Sequence, residues 1–354
     1  MRELRVAVLG ATGIIGQRYV ELLLDHPFLR LSAVAGHGSV GRRYSELVRG
    51  PLRLRRHRLL DELVVQEAKP EALEADLIFS ALPARAAAEK EPLFAGRGFA
   101  VLSDSSAHRL EADVPLLIPE VNPEHLELLR TQRARRGWRG FLLATPNCTA
   151  VGLGLALKPL HEAFGIKRVV VSTLQSISGA GYPGLSALDI LGNVIPYIEG
   201  EEEKVERETR KILGRLVDGG VQEADLAVEA MCHRVPTVEG HLESALVEFK
   251  RDVTPEQARE ALAGFTGLPQ RLKLPSAPGR PILVVEEQDR PQPRIDSEAG
   301  SVPGMSVVVG RIRRAQASNA LKLSLLVHNE IRGGAGGAIL AAELLAALGL
   351  LGGS

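Results

Sequence analysis

The sequence predicts an α/β chain of 354 residues in two domains, the first built on an open parallel sheet. Three observations lead there. The chain is too long to fold around one simple core. Through its first half, short apolar runs alternate with helical patterns, the order that builds a parallel sheet with crossover helices. The first run ends in a glycine cluster, Gly10-Ala11-Thr12-Gly13-Ile14-Ile15-Gly16, that opens the first helix.

Composition narrows the partners. Lys+Arg and Asp+Glu both number 43, so the formal net charge is +0 and neither nucleic acid nor an anionic membrane is favoured. The basic runs Arg53–Arg58 and Arg133–Arg136 lack interleaved aromatics and read as solvated faces or loop ends. Two cysteines, Cys148 and Cys232, argue no disulfide framework. Met1–Gly10 runs straight into a strand, leaving no room for a signal peptide, and no stretch reads as a membrane span. A cytoplasmic protein is expected, and no metal is called for.

Leu4–Leu9 reads as a strand buried on both faces, followed by a helix through Tyr19 and Leu22–Leu24. The intervening GxxGxxG is a variant of the dinucleotide fingerprint and gives the domain a Rossmann-type reading. Gly10 permits the tight turn, Gly13 lets backbone approach a pyrophosphate, and Gly16 packs helix on strand. The helix N-terminus offers N–H groups and a positive dipole end to phosphate. The second strand, Leu29–Ala35, leads into Gly36–Arg43 with no acid before Glu46 to meet a ribose 2′-hydroxyl. Ser39 with Arg42 and Arg43 could instead hold a 2′-phosphate, favouring NADP(H) over NAD, or the segment is simply a flexible basic loop. Ala75–Leu82 and Phe99–Leu102 are further strands, with Ala84–Ala88 helical between them. Their carboxyl ends, Ser80–Pro83 and Ser103–Arg109, are where such sheets hold ligands.

Chemistry clusters after the strand Phe141–Ala144. Cys148 stands at the start of a helical segment, Val151–Phe164, where the helix dipole favours thiolate. A lone cysteine is more often a small buried hydrophobe. His241, at the end of the strand-like stretch His233–His241, is a candidate base for a cysteine nucleophile, or a structural histidine. Ser172–Gly184 begins as a strand and becomes a glycine-rich loop, with Gln175 placed to bond a substrate oxygen. Glu199–Lys211 reads as a charged helix with a solvated face and i,i+4 ion pairs. Asn329 follows the strand Leu321–Val327 and precedes a turn, Gly333–Gly337; an apolar helix, Ala338–Leu351, is expected to return to the first domain.

Seven segments in order make the chain resemble aspartate-β-semialdehyde dehydrogenases of the archaeal and fungal branch. They are Gly10–Gln17, Ser105–Arg109, Thr145–Ala150, Leu174–Gly184, Pro196–Thr209, His233–His241 and His328–Gly337. The resemblance implies an N-terminal Rossmann-type NADP-binding domain, 1–147 plus 329–354, and a C-terminal α+β catalytic and dimerisation domain on a mixed sheet, 148–328. The strands Ile166–Gln175, Ala227–Cys232, His241–Phe249, Pro281–Val285, Val307–Arg313 and Leu321–Val327 would form that sheet, one face on helices and the other on a partner. It implies a homodimer, often paired into a homotetramer.

By the resemblance, Cys148 is the nucleophile, His241 the acid/base and Gln175 the group that orients the acyl intermediate. Arg234 would clamp the substrate α-carboxylate, Glu201 would face its amino group, and Lys204 and Arg109 would hold phosphate, with Asn147 also at the substrate. Cofactor contacts would come from Gly10, Thr12, Gly13, Ile14, Ser39, Arg42, Ser80, Leu82, Ser178, Gly179 and Asn329. Relatives commonly carry Arg where this chain has Gly38, which leaves 2′-phosphate binding to Ser39 and Arg42. The implied reaction is NADPH-dependent reductive dephosphorylation of L-aspartyl-4-phosphate, releasing L-aspartate 4-semialdehyde and inorganic phosphate through a Cys148 thioester. A malonyl-CoA reductase on the same scaffold is the nearest alternative, and a non-catalytic NADP-binding sensor is one of a different class.

Overall fold

A computed structural model of the chain describes residues 2–50, 57–316 and 319–351. The chain divides into two compact units, Met1–Leu117 with Glu124–Thr145 and Ala338–Ser354, and Ile118–Pro123 with Pro146–Gly337. Against the spans expected from the resemblance, the segment 329–337 and the short piece Ile118–Pro123 group with the second unit.

In the first unit, six strands form one sheet: β1 (Leu4–Leu9), β2 (Leu29–Gly36), β3 (Gln66–Glu67), β4 (Leu77–Ser80), β5 (Ala100–Ser103) and β6 (Phe141–Ala144). Their order is β3-β2-β1-β4-β5-β6 and every pairing is parallel. The order reverses between β1 and β4, the position where doubly wound sheets open a crevice at their carboxyl ends. Every residue of β4, β5 and β6 is buried, which explains why these strands read as continuous apolar runs. Helices Ile14–Leu23, Ala84–Arg97 and Leu128–Arg136 connect them. The last helix, Gly336–Ala347, brings Glu343 to His26, whose Nε2 lies 2.9 Å from a carboxylate oxygen with both side chains buried.

The run Arg133–Arg136 is the solvated face expected as far as Arg133 and Arg135, which are exposed, but two of its arginines are also held in place and Arg136 is half-buried. Arg136 bonds Glu111 and both oxygens of Asp113 and stacks over Trp138, while Arg133 bonds the Gly140 carbonyl and covers the Phe141 ring. Arginine at a helix C-terminus combines dipole, ion-pair and stacking interactions, and charge counting along the chain sees none of them. Of Arg53–Arg58, only His57 and Arg58 fall within the described residues.

The second unit holds a mixed sheet. Its strands are β7 (Ile166–Gln175), β10 (Ala227–Arg234), β11 (His241–Phe249), β12 (Ile282–Val284), β13 (Val307–Arg314) and β14 (Ala320–Val327), with a separate hairpin of β8 (Arg215–Val217) and β9 (Gly220–Gln222). The order is β10-β7-β11-β14-β13-β12; the β10–β7 and β13–β12 pairs are parallel and the rest antiparallel. Strand alternation gives the sheet two unlike faces. One buries Val169, Val171, Cys232, Ala245 and Val247. The other leaves Leu174 and Met231 exposed and Val170, Leu242 and Leu246 half-buried.

On the buried face, the helix Cys148–Phe164 approaches closely through glycine: a Cβ at Gly152 would lie 2.8 Å from Val327 and 2.9 Å from Glu243. The helix Glu201–Ile212 corrects a second expectation. Its carboxylates do not merely face solvent: Glu206 accepts from the Ala230 N–H and Glu202 from the Cys232 N–H, and Glu201 and Glu208 are buried. Edge strand β10 would otherwise leave those N–H groups unpaired.

Two further readings change. The stretch His233–His241 is not one strand, because β10 ends at Arg234 and β11 begins at His241. Pro236 cannot donate to a ladder and Gly240 takes φ 88°, so the chain turns between them. The glycine-rich turn is a π-turn, Ile331–Ala335, kinked at Gly334 and running into the last helix.

Candidate active site

Cys148 is the first residue of its helix and is half-buried. Asn147 caps that helix, its Oδ1 accepting from the N–H groups of Thr149 at 2.9 Å and Ala150 at 3.2 Å. The Asn147 amide donates to Glu201 at 2.8 Å and its backbone N–H to Glu208 at 2.6 Å. The start of the Cys148 helix is thereby tied to the Glu201 helix. On another side lies the π-turn: a Cβ at Gly333 would sit 2.6 Å from the Cys148 Cβ, so only glycine fits. The turn is anchored by a buried, two-pronged ion pair, Arg332 to Glu120 at 2.9 and 2.6 Å.

The end of the mixed sheet supplies the other groups. Arg234 and Gln175 are register partners at the ends of β10 and β7, and His241 opens β11 opposite Val327. Arg234 donates to the Ser176 carbonyl at 2.8 Å. A Cβ at Gly179 would lie 2.9 Å from Arg234 Nη1 and 3.3 Å from His241 Nε2, so guanidinium and imidazole stand side by side over that glycine. Burial lowers the Arg234 pKa, opposed by the nearby Glu201 and Cys148, which places all three in one electrostatic neighbourhood. Gln175 is buried and bonds Thr173 at 3.3 Å. Lys204 Nζ is 3.6 Å from Glu201.

His241 is fully buried, and burial, with Arg234 and His328 beside it, pushes its pKa down to about 3. Its Nδ1 accepts from the Ser176 N–H at 3.1 Å; its Nε2 has no partner among the described residues. Asn329, expected at the cofactor, has its amide engaged within the unit. Its Oδ1 accepts from Ser176 Oγ at 3.1 Å and from the Gly240 N–H at 2.9 Å, and its Nδ2 donates to Ser178 at 2.9 Å. Neither Ser176 nor Glu208 stood out in the sequence, since serines and helical glutamates are common and their partners are remote. Glu243 was missed too. It is buried beneath the Cys148 helix with neither oxygen partnered among the described residues, and burial raises its pKa well above the usual carboxylate range.

The first unit carries the glycine loop. Gly10 adopts φ 71°, and a Cβ there would come within 2.5 Å of the Ala81 carbonyl, next to Leu82. At Gly16 a Cβ would meet the Gly10 carbonyl at 2.2 Å. Gly13 is the N-cap of the helix that Ile14 begins, with no side-chain cap and no acid in the first turn. Those uncapped N–H groups suit the pyrophosphate of a dinucleotide. Two residues absent from the sequence reading brace the loop: Gln17 donates to the Thr12 carbonyl, and Tyr44 to that of Ala11. Ser80, at the end of β4, is buried. Ser39 Oγ would lie 3.2 Å from a Cβ at Gly36, and Arg42 is largely exposed, 3.8 Å from Glu46. Arg109 donates to the Asp104 carbonyl at 2.6 Å within this unit.

Comparison with known proteins matches residues 5–129 to the family described as semialdehyde dehydrogenase, NAD binding domain, and residues 157–332 to semialdehyde dehydrogenase, dimerisation domain. An aspartate-semialdehyde dehydrogenase from Methanothermobacter thermautotrophicus is 46% identical, over 96% of this chain and 98% of that protein. A malonyl CoA reductase (NADP) from Metallosphaera sedula is 43% identical, over 99% of each. Among solved structures, the aspartate semialdehyde dehydrogenase from Candida albicans with NADP superposes with a TM-score of 0.87 at 38% identity, covering 98% of this chain and 99% of that one. No helix among the described residues is long and apolar enough to cross a membrane. On these grounds, with a nucleotide-type glycine loop in one unit and a capped thiol in the other, the chain belongs to the semialdehyde dehydrogenase family.

Proposed function

We propose that this chain is an aspartate-semialdehyde dehydrogenase that converts L-aspartyl-4-phosphate to L-aspartate 4-semialdehyde and phosphate with NADPH. One observation carries the reading: in the second unit, Cys148, Arg234 and buried Glu201 share one neighbourhood with His241 beside the guanidinium. An aspartyl substrate presents an α-carboxylate and an α-ammonium, and it needs one fixed cation and one fixed anion beside a nucleophile. The Methanothermobacter relative bears that activity in its name.

Cys148 Sγ attacks the acyl phosphate at the start of its helix, where the dipole favours negative charge, and phosphate leaves. Arg234 holds the carboxylate, Glu201 the ammonium, and Lys204 and Arg109 the phosphate. Gln175 orients the thioester. The glycine loop, with Gly10, Thr12, Gly13 and Ile14, holds the pyrophosphate, Ser39 and Arg42 the 2′-phosphate, and Ser80, Leu82, Ser178, Gly179 and Asn329 the remainder. When bound, NADPH supplies the hydride that reduces the thioester. The same reading makes the protein a cytoplasmic homodimer or homotetramer, paired through the open face of the mixed sheet that carries Leu174 and Met231.

The Metallosphaera relative keeps a second substrate in play. Malonyl-CoA has no α-ammonium, so it would leave Glu201 with no substrate cation to face, only the chain's own Asn147 amide, Lys204 and Arg234. Purified protein given aspartate semialdehyde, phosphate and NADP⁺ should form NADPH in a phosphate-dependent way. Absence of that signal, with NADPH oxidised on malonyl-CoA instead, would transfer the assignment to the acyl-CoA reaction.

A further inference from the structure

We propose that Arg332 and Glu120 are positioning residues for the thiol: their buried ion pair sets the place of the π-turn whose Gly333 forms a wall against Cys148. The kinetic consequence rests on the thioester reading; the geometry does not.

The pair joins three separate stretches of the second unit. Arg332 belongs to the π-turn Ile331–Ala335, Glu120 to the piece Ile118–Pro123, and Gln270 to the short helix Leu268–Arg271. The guanidinium engages both carboxylate oxygens of Glu120, at 2.9 and 2.6 Å, and both side chains are buried. Glu120 itself cannot drift. It stands in a closed turn, where the Ile118 N–H donates to Asn122 Oδ1 at 2.9 Å and the Val121 N–H to the Ile118 carbonyl at 2.8 Å. Gln270 donates to the same carboxylate at 3.4 Å and to the Pro278 carbonyl at 3.2 Å. Gly267 lies directly on it, since a Cβ there would come within 2.6 Å of the Glu120 Cα. The anchor is therefore rigid before Arg332 reaches it.

Arg332 passes that position on across one peptide bond. The Gly333 N–H donates to the His328 carbonyl at 3.0 Å, and a Cβ on Gly333 would meet the Cys148 Cβ at 2.6 Å and its Cα at 2.8 Å. The turn has little to hold it from within. Gly333 and Gly334 carry no side chains, Gly334 is kinked at φ −147° and ψ −122°, and a single π-turn is an uncommon form of backbone that recurs at functional sites. A two-pronged guanidinium–carboxylate contact supplies both a distance and an orientation, which a single-point contact does not. Stability is a weak reason to bury such a pair, because apolar residues of similar volume often serve as well or better. What an apolar plug would lose is the fixed geometry. Shifts of about 1 Å beside a reacting group can cost on the order of 10²-fold in rate.

The test replaces the pair as a whole, Arg332→Met with Glu120→Leu, so that no buried ion is left alone. This double variant should melt near the parent and bind NADP as the parent does. Its kcat for aspartate semialdehyde should fall by about 10²-fold, while KM changes little, because Arg234 and Glu201 are untouched. The thiol itself is read without substrate, by alkylation with iodoacetamide. Cys232 does not compete, being fully buried with its pKa pushed up to about 12. With the wall loosened, alkylation of Cys148 should speed up several-fold at its plateau, whereas its pH midpoint should stay, since the Asn147 cap is intact. Parental kcat and parental alkylation in the folded double variant overturn the proposal, and so does a loss of NADP binding in step with kcat, which would make the pair merely structural. If the double variant does not fold, Arg332→Lys decides by the same readings. Lysine keeps the charge and loses the fork, so lowered kcat at retained melting supports positioning and full activity overturns it. An altered thiol in a protein inactive on aspartate semialdehyde would sink the function alone; an unaltered thiol in an active protein would sink the positioning alone.

Discussion

The two helix starts at Gly13 and Asn147 use the same backbone geometry in opposite ways. Both leave N–H groups that the helix itself cannot satisfy. At Gly13 no side chain among the described residues caps them: the cap residue is glycine, the first turn has no acid, and the backbone on either side is packed so closely that Gly10 and Gly16 admit no Cβ. At Asn147 the chain takes two of them itself, through Oδ1, and turns the rest of the cap toward Glu201 and Glu208. A helix start with open donors is a site for an anion brought from outside. One with occupied donors is a rigid mount for the residue that follows it, here the thiol. A glycine-rich or Asn-Cys sequence at a helix start marks both, but only the satisfaction of the N–H groups separates them.

Gly13→Asp would break that distinction with the largest effect. Gly13 has an ordinary φ of −74°, and a Cβ there would meet only the Gly10 carbonyl at 3.4 Å, so the side chain fits. Asp is a strong N-cap, and the first unit should gain or hold its stability, by up to about 1 kcal/mol. The carboxylate would occupy the donors and repel a pyrophosphate, and NADP affinity should fall about 100-fold, near 2.7 kcal/mol. Thermal melting with and without NADP reads both quantities. Retained affinity in a stable variant would mean that the dinucleotide phosphates do not use this helix start.

The converse change is Asn147→Ala. Two capping bonds vanish and Glu201 loses its amide partner, so unfolding should be easier by about 1–2 kcal/mol. Asn147→Ser separates the two functions of the side chain, since serine can cap but cannot reach Glu201. Stability should largely return in Asn147→Ser, while the KM for aspartate semialdehyde stays raised in both variants. Full recovery of KM by serine would show that the Glu201 contact is not needed for substrate.

How much of this was legible depended on how local the signal was. Strands β1, β6, β7 and β11 match their apolar runs to the residue, because each is bounded by a turn or a helix signal. The Val235–Gly240 turn escaped because its Val-Pro-Thr-Val pattern keeps strand-like composition while Pro236 and Gly240 break the ladder. The Glu201 helix looked solvated since its acids are spaced like surface charges, and only the edge of β10 reveals what two of them bind. Of the candidate residues, Arg234 and Glu201 gather near Cys148, with His241 beside Arg234, because two strand ends and a helix start converge there. The brace around them was unreadable: Asn147 meets Glu208 across 61 residues, Asn329 meets Ser176 across 153, and Arg332 meets Glu120 across 212. Pairing at those separations is set by topology, and composition carries no trace of it.

The smallest effect lies at the other end of the cofactor. Arg42 is exposed and shares its charge with Glu46 at 3.8 Å, so a 2′-phosphate would gain only a solvent-screened partner. Arg42→Ala should therefore lower the preference for NADP over NAD by about three- to tenfold, on the order of 1 kcal/mol. Nothing lies within 4 Å of a Cβ at Gly38, which leaves room for a side chain. Gly38→Arg should raise the preference by a similar factor and partly rescue Arg42→Ala, as an added guanidinium would beside the same phosphate. Ratios of kcat/KM for the two dinucleotides decide it. An unchanged ratio in Arg42→Ala would move the discrimination to Ser39, whose hydroxyl is held against Gly36 and can bond a phosphate without any charge at all.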